Sequence, residues 1–151
     1  MRSDAVQLVF LLFVLVVGAA AECLLPKPFG TGFPILLSAA LFAAVRRPVP
    51  VFVTFALAAG GAEDALTSLP LMTSPAFFLL AAASVRWSGS RAAVAAVAAP
   101  VYQFWLWLWA ADPGSGVFLR FVVSVPAGFV TASLVAALLG VLERKAAADV
   151  G

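Results

Sequence analysis

The stretch from Val45 to Leu71 reads VRRPVPVFVTFALAAGGAEDALTSLPL, an apolar run enclosed by charges, glycines and prolines. The apolar part, from Pro50 to about Leu66, has the length of one membrane-crossing helix, which needs ~17–25 residues. Proline suits the first turn of a helix and disrupts its interior, so the clusters at both ends indicate where the chain turns. The same alternation of apolar runs and breakers repeats along the whole chain.

The composition indicates that lipid covers most of the protein surface. Of 151 residues, 64% are hydrophobic and 11% are charged, which leaves too little polar surface for a soluble domain. The chain has no histidine and one cysteine, Cys23, which excludes histidine-based catalysis, histidine metal sites and an internal disulfide. Its basic residues lie singly or in pairs between apolar runs, unlike the basic patches of nucleic-acid-binding proteins.

Six apolar runs predict an all-α fold, a polytopic membrane bundle of six transmembrane helices in one domain, residues 1–151. The predicted helices cover residues 5–21, 29–45, 50–66, 69–85, 92–111 and 117–142. The second and fourth are short and crowded by prolines, and a helix over 75–85 would rise only ~17 Å in a hydrocarbon core of ~30 Å. Irregular backbone buried in protein, or a thinned bilayer, is expected at these two segments.

The charged connections predict that both termini lie in the cytoplasm. The basic residues on the inner side are then Arg2, Arg46, Arg47, Arg86, Arg91, Arg144 and Lys145. Lys27 and Arg120 are the basic residues left outside, in agreement with the positive-inside rule. Arg46, Arg47, Arg86 and Arg91 form the predicted cytoplasmic basic turns. In an alternative interpretation, the first run is a secretory signal cleaved after Ala21, which leaves five crossings.

Aromatic residues cluster near the end of predicted helix five that is expected to face outward: Tyr102, Trp105, Trp107 and Trp109. Trp and Tyr prefer the headgroup layer, where both the ring and its polar group are satisfied. Trp107 points nearly opposite to Trp105 and Trp109, so the cluster wraps around the helix. This pattern favours an interface belt over the alternative, an aromatic ligand box.

Two adjacent acids, Glu63 and Asp64, lie near the predicted outer end of helix three, ~20 Å from its start at Pro50. Charges inside a membrane need partners, and Arg120 is expected at a similar depth. We therefore expect Asp64 or Glu63 to pair with Arg120, with only one carboxylate facing inward because consecutive helical residues point ~100° apart. In the alternative, helix three ends at Gly60-Gly61 and both acids are solvated.

Small residues recur at a spacing of four in two predicted helices. Ala56 and Gly60 form a pair in helix three, and Ala132, Ala136 and Gly140 form a row in helix six. Such rows let helix backbones approach closely in a membrane, although an alanine-rich chain also produces them by chance.

The sequence offers no catalytic residues, cofactor-binding residues or metal ligands. No charged residue falls near a predicted membrane midplane, where a proton relay needs one. Serine and threonine have no histidine or intramembrane lysine to activate them as nucleophiles. We therefore predict a protein that is not an enzyme.

The motifs of residues 46–74 resemble those of the rod shape-determining MreD family, small six-crossing proteins of the bacterial inner membrane. The resemblance rests on the basic-proline turn Arg46-Arg47-Pro48, on Gly60 and Asp64 in a Gly-x-x-x-Asp motif, and on Leu69-Pro70. The chain departs from the family at Leu71-Met72-Thr73, where a glycine is common.

The resemblance implies a non-enzymatic scaffold subunit of the cell-elongation machinery, located in the bacterial inner membrane as a multi-pass protein. The implied partners are membrane lipid, an MreC-like protein and the peptidoglycan synthase machinery, without nucleic acid. Basic turns near the membrane surface also attract anionic headgroups.

The alternative function is a small-molecule binding subunit, because the substrate-binding components of energy-coupling-factor vitamin transporters are also small six-crossing proteins. In that case the loops around 27–31 and 66–74, with Trp105 and Trp109, would close over a ligand. An outward cavity lined by Asp64, Gln103 and Trp105 would favour ligand binding, whereas a solid bundle with a lipid-facing groove would favour scaffolding. A flippase is a third possibility.

Overall fold

The secondary structure is entirely helical in the part of the chain that the structure describes. The computed structural model describes residues 2–25, 34–67, 69–88, 97, 98, 100–102, 104, 105, 108 and 117–148. The named helices are α1 (Arg2–Leu24), α2 (Ile35–Arg46), α3 (Val49–Thr67), α4 (Thr73–Trp87) and α5 (Val117–Ala148). The described residues between 97 and 108, here called the 97–108 segment, are helical and belong to predicted helix five.

Three of these helices are long and apolar enough to cross a membrane. They are Gln7–Leu24, Val49–Thr67 and Phe118–Lys145. With 12 and 15 residues, α2 and α4 rise only ~18 and ~22 Å, less than a hydrocarbon core of ~30 Å. For the described residues the structure confirms the all-α class, and the three long apolar helices indicate a membrane protein. The six crossings and the cytoplasmic position of both termini remain predictions.

Helix α2 is the central element, in contact with α1, α3, α4 and α5. Eight of its twelve residues are buried, and four of those are alanines, which let neighbouring backbones pack closely. The helix begins at Ile35, with Pro34 immediately before its first turn, a position that proline suits.

The helices run alternately up and down, which gathers opposite charges at the two ends of the bundle. We call the end with Glu22, Glu63 and Asp64 the carboxylate end; there the last turns of α1 and α3 meet the first turns of α2 and α4. The opposite end, with Arg46, Arg47 and Arg86, is the arginine end. It also receives the last turns of α5, through an ion pair between Arg47 and Glu143.

The two predicted rows of small residues differ in the structure. In α3, Ala56 and Gly60 are buried against neighbouring helices. In α5, Ala136 is exposed, and a Cβ added to Gly140 would meet no described atom within 4 Å. The α3 row is thus a packing surface, while the α5 row faces away from the described helices.

Candidate functional site

The carboxylate end depends on a close approach between α3 and α4 at Gly60. A Cβ at this position would lie 2.5 Å from Cα and N of Pro75 and 2.8 Å from the carbonyl carbon of Ser74. All three are backbone atoms, so no side-chain rotation could relieve the clash. Glycine is required here because the first turn of α4 rests directly on α3.

This approach brings the amide of Ser74 to the carboxylate of Asp64, one turn beyond Gly60. The Ser74 N–H donates to Asp64 Oδ1 over 2.8 Å, and Asp64 is only 4% exposed. Its second oxygen, Oδ2, is buried without a hydrogen-bond partner among the described residues. A carboxylate at the N-terminus of a helix satisfies a free amide and interacts favourably with the helix dipole.

The connection between α3 and α4 is a compact turn around Leu69-Pro70. The Leu69 N–H donates to the carbonyl of Asp64 over 3.2 Å, and the Thr73 hydroxyl donates to the carbonyl of Pro70 over 2.7 Å. Met72 has a φ of 74°, in the left-handed region. Glycine adopts this conformation more readily than an L-amino acid with a side chain.

Tyr102 and Trp105, two members of the predicted interface belt, form hydrogen bonds with the first turn of α4. Tyr102 is 3% exposed, and its hydroxyl shares a hydrogen bond of 2.6 Å with that of Ser74. Trp105 is half-buried and donates from Nε1 to the carbonyl of Thr73 over 2.9 Å. The belt stays a prediction, and the hydroxyl of Tyr102 has its partner inside the protein. Trp107 and Trp109 lie outside the described residues.

Glu22 was not among the predicted site residues. It caps the N-terminus of α2 in the way that Asp64 caps the N-terminus of α4. Its Oε1 accepts from the N–H of Leu36 over 2.7 Å, so a carboxylate of α1 satisfies a free amide at the start of α2. One feature of the sequence could have pointed to Glu22: it is an acidic residue at the end of an apolar run, and the next helix begins after a proline.

The structure places the three residues of the predicted ion pair on α3 and α5. Helix α3 continues through Gly60 and Gly61 to Thr67, so Asp64 lies inside the bundle and Glu63 is half-buried. Arg120 is exposed on α5. Within the described chain, Asp64 Oδ1 accepts a hydrogen bond from the Ser74 amide, and pairing of either acid with Arg120 stays a prediction.

At the arginine end, the predicted basic turns connect helix ends. Arg86 donates from Nη1 to the carbonyls of Ala44 and Arg47 over 2.8 and 2.7 Å, and its guanidinium lies 5.2 Å from the ring centre of Phe52. Arg47 pairs with Glu143, whereas Arg46 is exposed. Arg91 lies outside the described residues.

The chemistry of these contacts is that of helix capping and helix pairing. Among the described positions, no group of three or more His, Cys, Asp or Glu side chains is arranged to hold a metal ion. Compared with protein-family models, curated proteins and solved structures, the chain has no match in any of the three.

Proposed function

We propose that this chain is a non-enzymatic scaffold subunit of the bacterial cell-elongation machinery, of the MreD type. In this proposal it is a multi-pass protein of the inner membrane with the arginine end in the cytoplasm. Its partners are an MreC-like protein and the peptidoglycan synthases, which it contacts through helix surfaces within the membrane.

The observation that carries the proposal is the structural role of the motif on which the resemblance rests. Gly60 admits the backbone of Ser74 and Pro75, and Asp64 accepts the Ser74 amide. The motif thus joins α3 to α4 without contributing a reactive group. Such a role is that of a scaffold, whose function depends on the shape of its helix surfaces.

Apolar surfaces for partners are available on the outer helices. Large apolar side chains are exposed along α1 and α5, among them Leu8, Leu12, Phe13, Val16, Phe129, Leu134 and Leu138. A groove of about 630 Å³ also runs between α4 and the 97–108 segment, lined by residues such as Phe77, Leu80, Ala81 and Val101. Small residues in such a groove allow another helix to approach closely.

The same contacts give less support to the vitamin-binding alternative. That function needs polar groups that converge on a cavity, yet Asp64 and Trp105 both bind the backbone at the start of α4. Gln103, the third residue expected at such a cavity, lies outside the described residues.

The test is to delete the gene in the native bacterium and to complement the deletion with variants. The proposal expects that cells lose their elongated shape and that the wild-type chain and Gly61→Ala restore it. The tagged chain should also co-purify from membranes with an MreC-like protein. Normal cell shape combined with a loss of vitamin uptake would contradict the proposal and favour the transport subunit.

A further inference from the structure

We propose that the arginine end holds a specific site for the phosphate of an anionic phospholipid headgroup. The site is a cavity of about 430 Å³ lined by Arg46, Arg47, Arg86 and Trp87, together with backbone of the turn from α2 to α3. This volume lies in the range of small-ligand pockets, ~300–1,000 Å³. The inference is independent of the scaffold function proposed above.

Among the described side chains, one acid, Glu143, pairs with one of the three arginines that line the cavity. The ion pair of Arg47 with Glu143 neutralises one of the three charges that line the cavity. Arg86 uses Nη1 on neutral backbone carbonyls, and Arg46 is exposed. An anion is therefore the ligand that the cavity favours, and the planar guanidinium matches the geometry of phosphate.

The two inner arginines are held in place before any ligand arrives. Arg86 is fixed by two carbonyls and by the ring of Phe52. Arg47 is fixed by Glu143, and its guanidinium lies 5.8 Å from the ring centre of Phe10. Because these side chains lose little conformational freedom on binding, the cavity differs from a set of mobile surface charges.

The position of the cavity along the bundle identifies the anion as a lipid headgroup. The apolar spans end at this level, since one begins at Val49 and another ends at Lys145. Trp87 is 71% exposed beside the cavity, and tryptophan prefers the interface between headgroups and hydrocarbon. A phosphate at this depth belongs to a phospholipid of the surrounding leaflet.

The test measures lipid binding to the purified full chain in neutral detergent by native mass spectrometry, with phosphatidylglycerol and phosphatidylcholine as probes. Phosphatidylglycerol should bind more tightly than phosphatidylcholine. Arg46→Gln should weaken its binding about fivefold, the effect of one basic residue near an anionic surface. Arg46 is exposed, so this variant keeps the fold, and unchanged thermal unfolding verifies that it does.

Arg144→Gln is the matched control, because Arg144 is exposed near the same end but donates from Nε to the carbonyl of Gly140 and does not line the cavity. It should change phosphatidylglycerol binding by less than twofold. Equal losses in both variants, or equal binding of both lipids, would overturn the site. Displacement of the lipid by an equal concentration of inorganic phosphate would assign the cavity to free phosphate and overturn the lipid assignment.

Discussion

At the scale of single residues, Asp64 of α3 caps the N-terminus of α4, a role that usually belongs to a residue at the start of the capped helix itself. Met72 precedes α4 without a side-chain cap, and the Thr73 hydroxyl is directed back to Pro70. The Ser74 amide must therefore find an acceptor elsewhere, because an unpaired amide buried in the protein is costly. Asp64 supplies that acceptor from the preceding helix.

The role of Asp64 as an acceptor predicts opposite results for two substitutions. Asp64→Asn keeps an oxygen for the Ser74 amide and replaces the unpartnered Oδ2 with an uncharged amide, so the free energy of unfolding should change by less than about 1 kcal/mol. Asp64→Ala leaves the buried Ser74 N–H without an acceptor and should lower the free energy of unfolding by about 1–3 kcal/mol. Denaturation of both variants in detergent measures the difference. If Asn were as damaging as Ala, the negative charge itself would be needed.

Met72 occupies a backbone conformation that costs an L-amino acid roughly 1–2 kcal/mol. Its φ is 74° and its side chain is exposed, so replacing it with glycine removes strain without removing a buried contact. Met72→Gly should therefore raise the melting temperature in detergent. The increase is smaller than the relieved strain alone would give, because glycine has more conformational freedom in the unfolded chain. Met72→Val is the control and should lower it, because a β-branched residue tolerates this region poorly.

At the scale of elements, charged side chains from other helices form hydrogen bonds with the free backbone groups at the ends of the short helices α2 and α4. Glu22 and Asp64 accept amides at the N-termini of α2 and α4, and Arg86 donates to carbonyls at the C-terminus of α2. These are the signs of charge that a helix dipole favours at each end. Helices too short to reach both membrane surfaces can thereby end inside the bundle.

Packing between α3 and α4 predicts different effects at two adjacent glycines. Gly60→Ala places a methyl group against the backbone of Ser74 and Pro75, which should cost about 1–3 kcal/mol of stability by overpacking. Gly61→Ala is the matched control, because its added Cβ would meet no described atom within 4 Å. It should be neutral or stabilising, since alanine favours a helix over glycine by about 1 kcal/mol. Denaturation midpoints in detergent compare the two, and equal losses would contradict the close approach.

The sequence predicted that the second and fourth elements would be short, but not which contacts hold their ends. Prolines and glycines act on the local backbone, so Pro34 and the Leu69-Pro70 turn could be recognised directly. The bonds of Glu22 to Leu36 and of Tyr102 to Ser74 join residues 14 and 28 positions apart. Contacts between residues this far apart depend on how the helices pack together, and local sequence patterns do not contain that information. The same reason explains why the bond between Asp64 and the Ser74 amide was not predicted.

At the scale of the whole molecule, charge is separated between the two ends of the bundle. The carboxylates cluster where α1 and α3 end, and the arginines cluster where α2 and α4 end. The alternation of charge along the sequence already indicated this arrangement, because each apolar run reverses the direction of the chain. The sequence also indicated that the second and fourth runs are short, as α2 and α4 are with 12 and 15 residues.

Cys23 provides a test of the proposed orientation, because it is the single cysteine of the chain. Its side chain is exposed in the last turn of α1, at the carboxylate end. With both termini in the cytoplasm, a membrane-impermeant maleimide should label Cys23 in intact cells whose outer membrane is permeable to the reagent. Arg46→Cys in a Cys23→Ser background should react only after the inner membrane is opened, and Cys23→Ser alone is the blank. Reaction of Arg46→Cys in intact cells would place the arginine end outside and contradict the proposed topology, because a surplus of basic residues is retained on the cytoplasmic side.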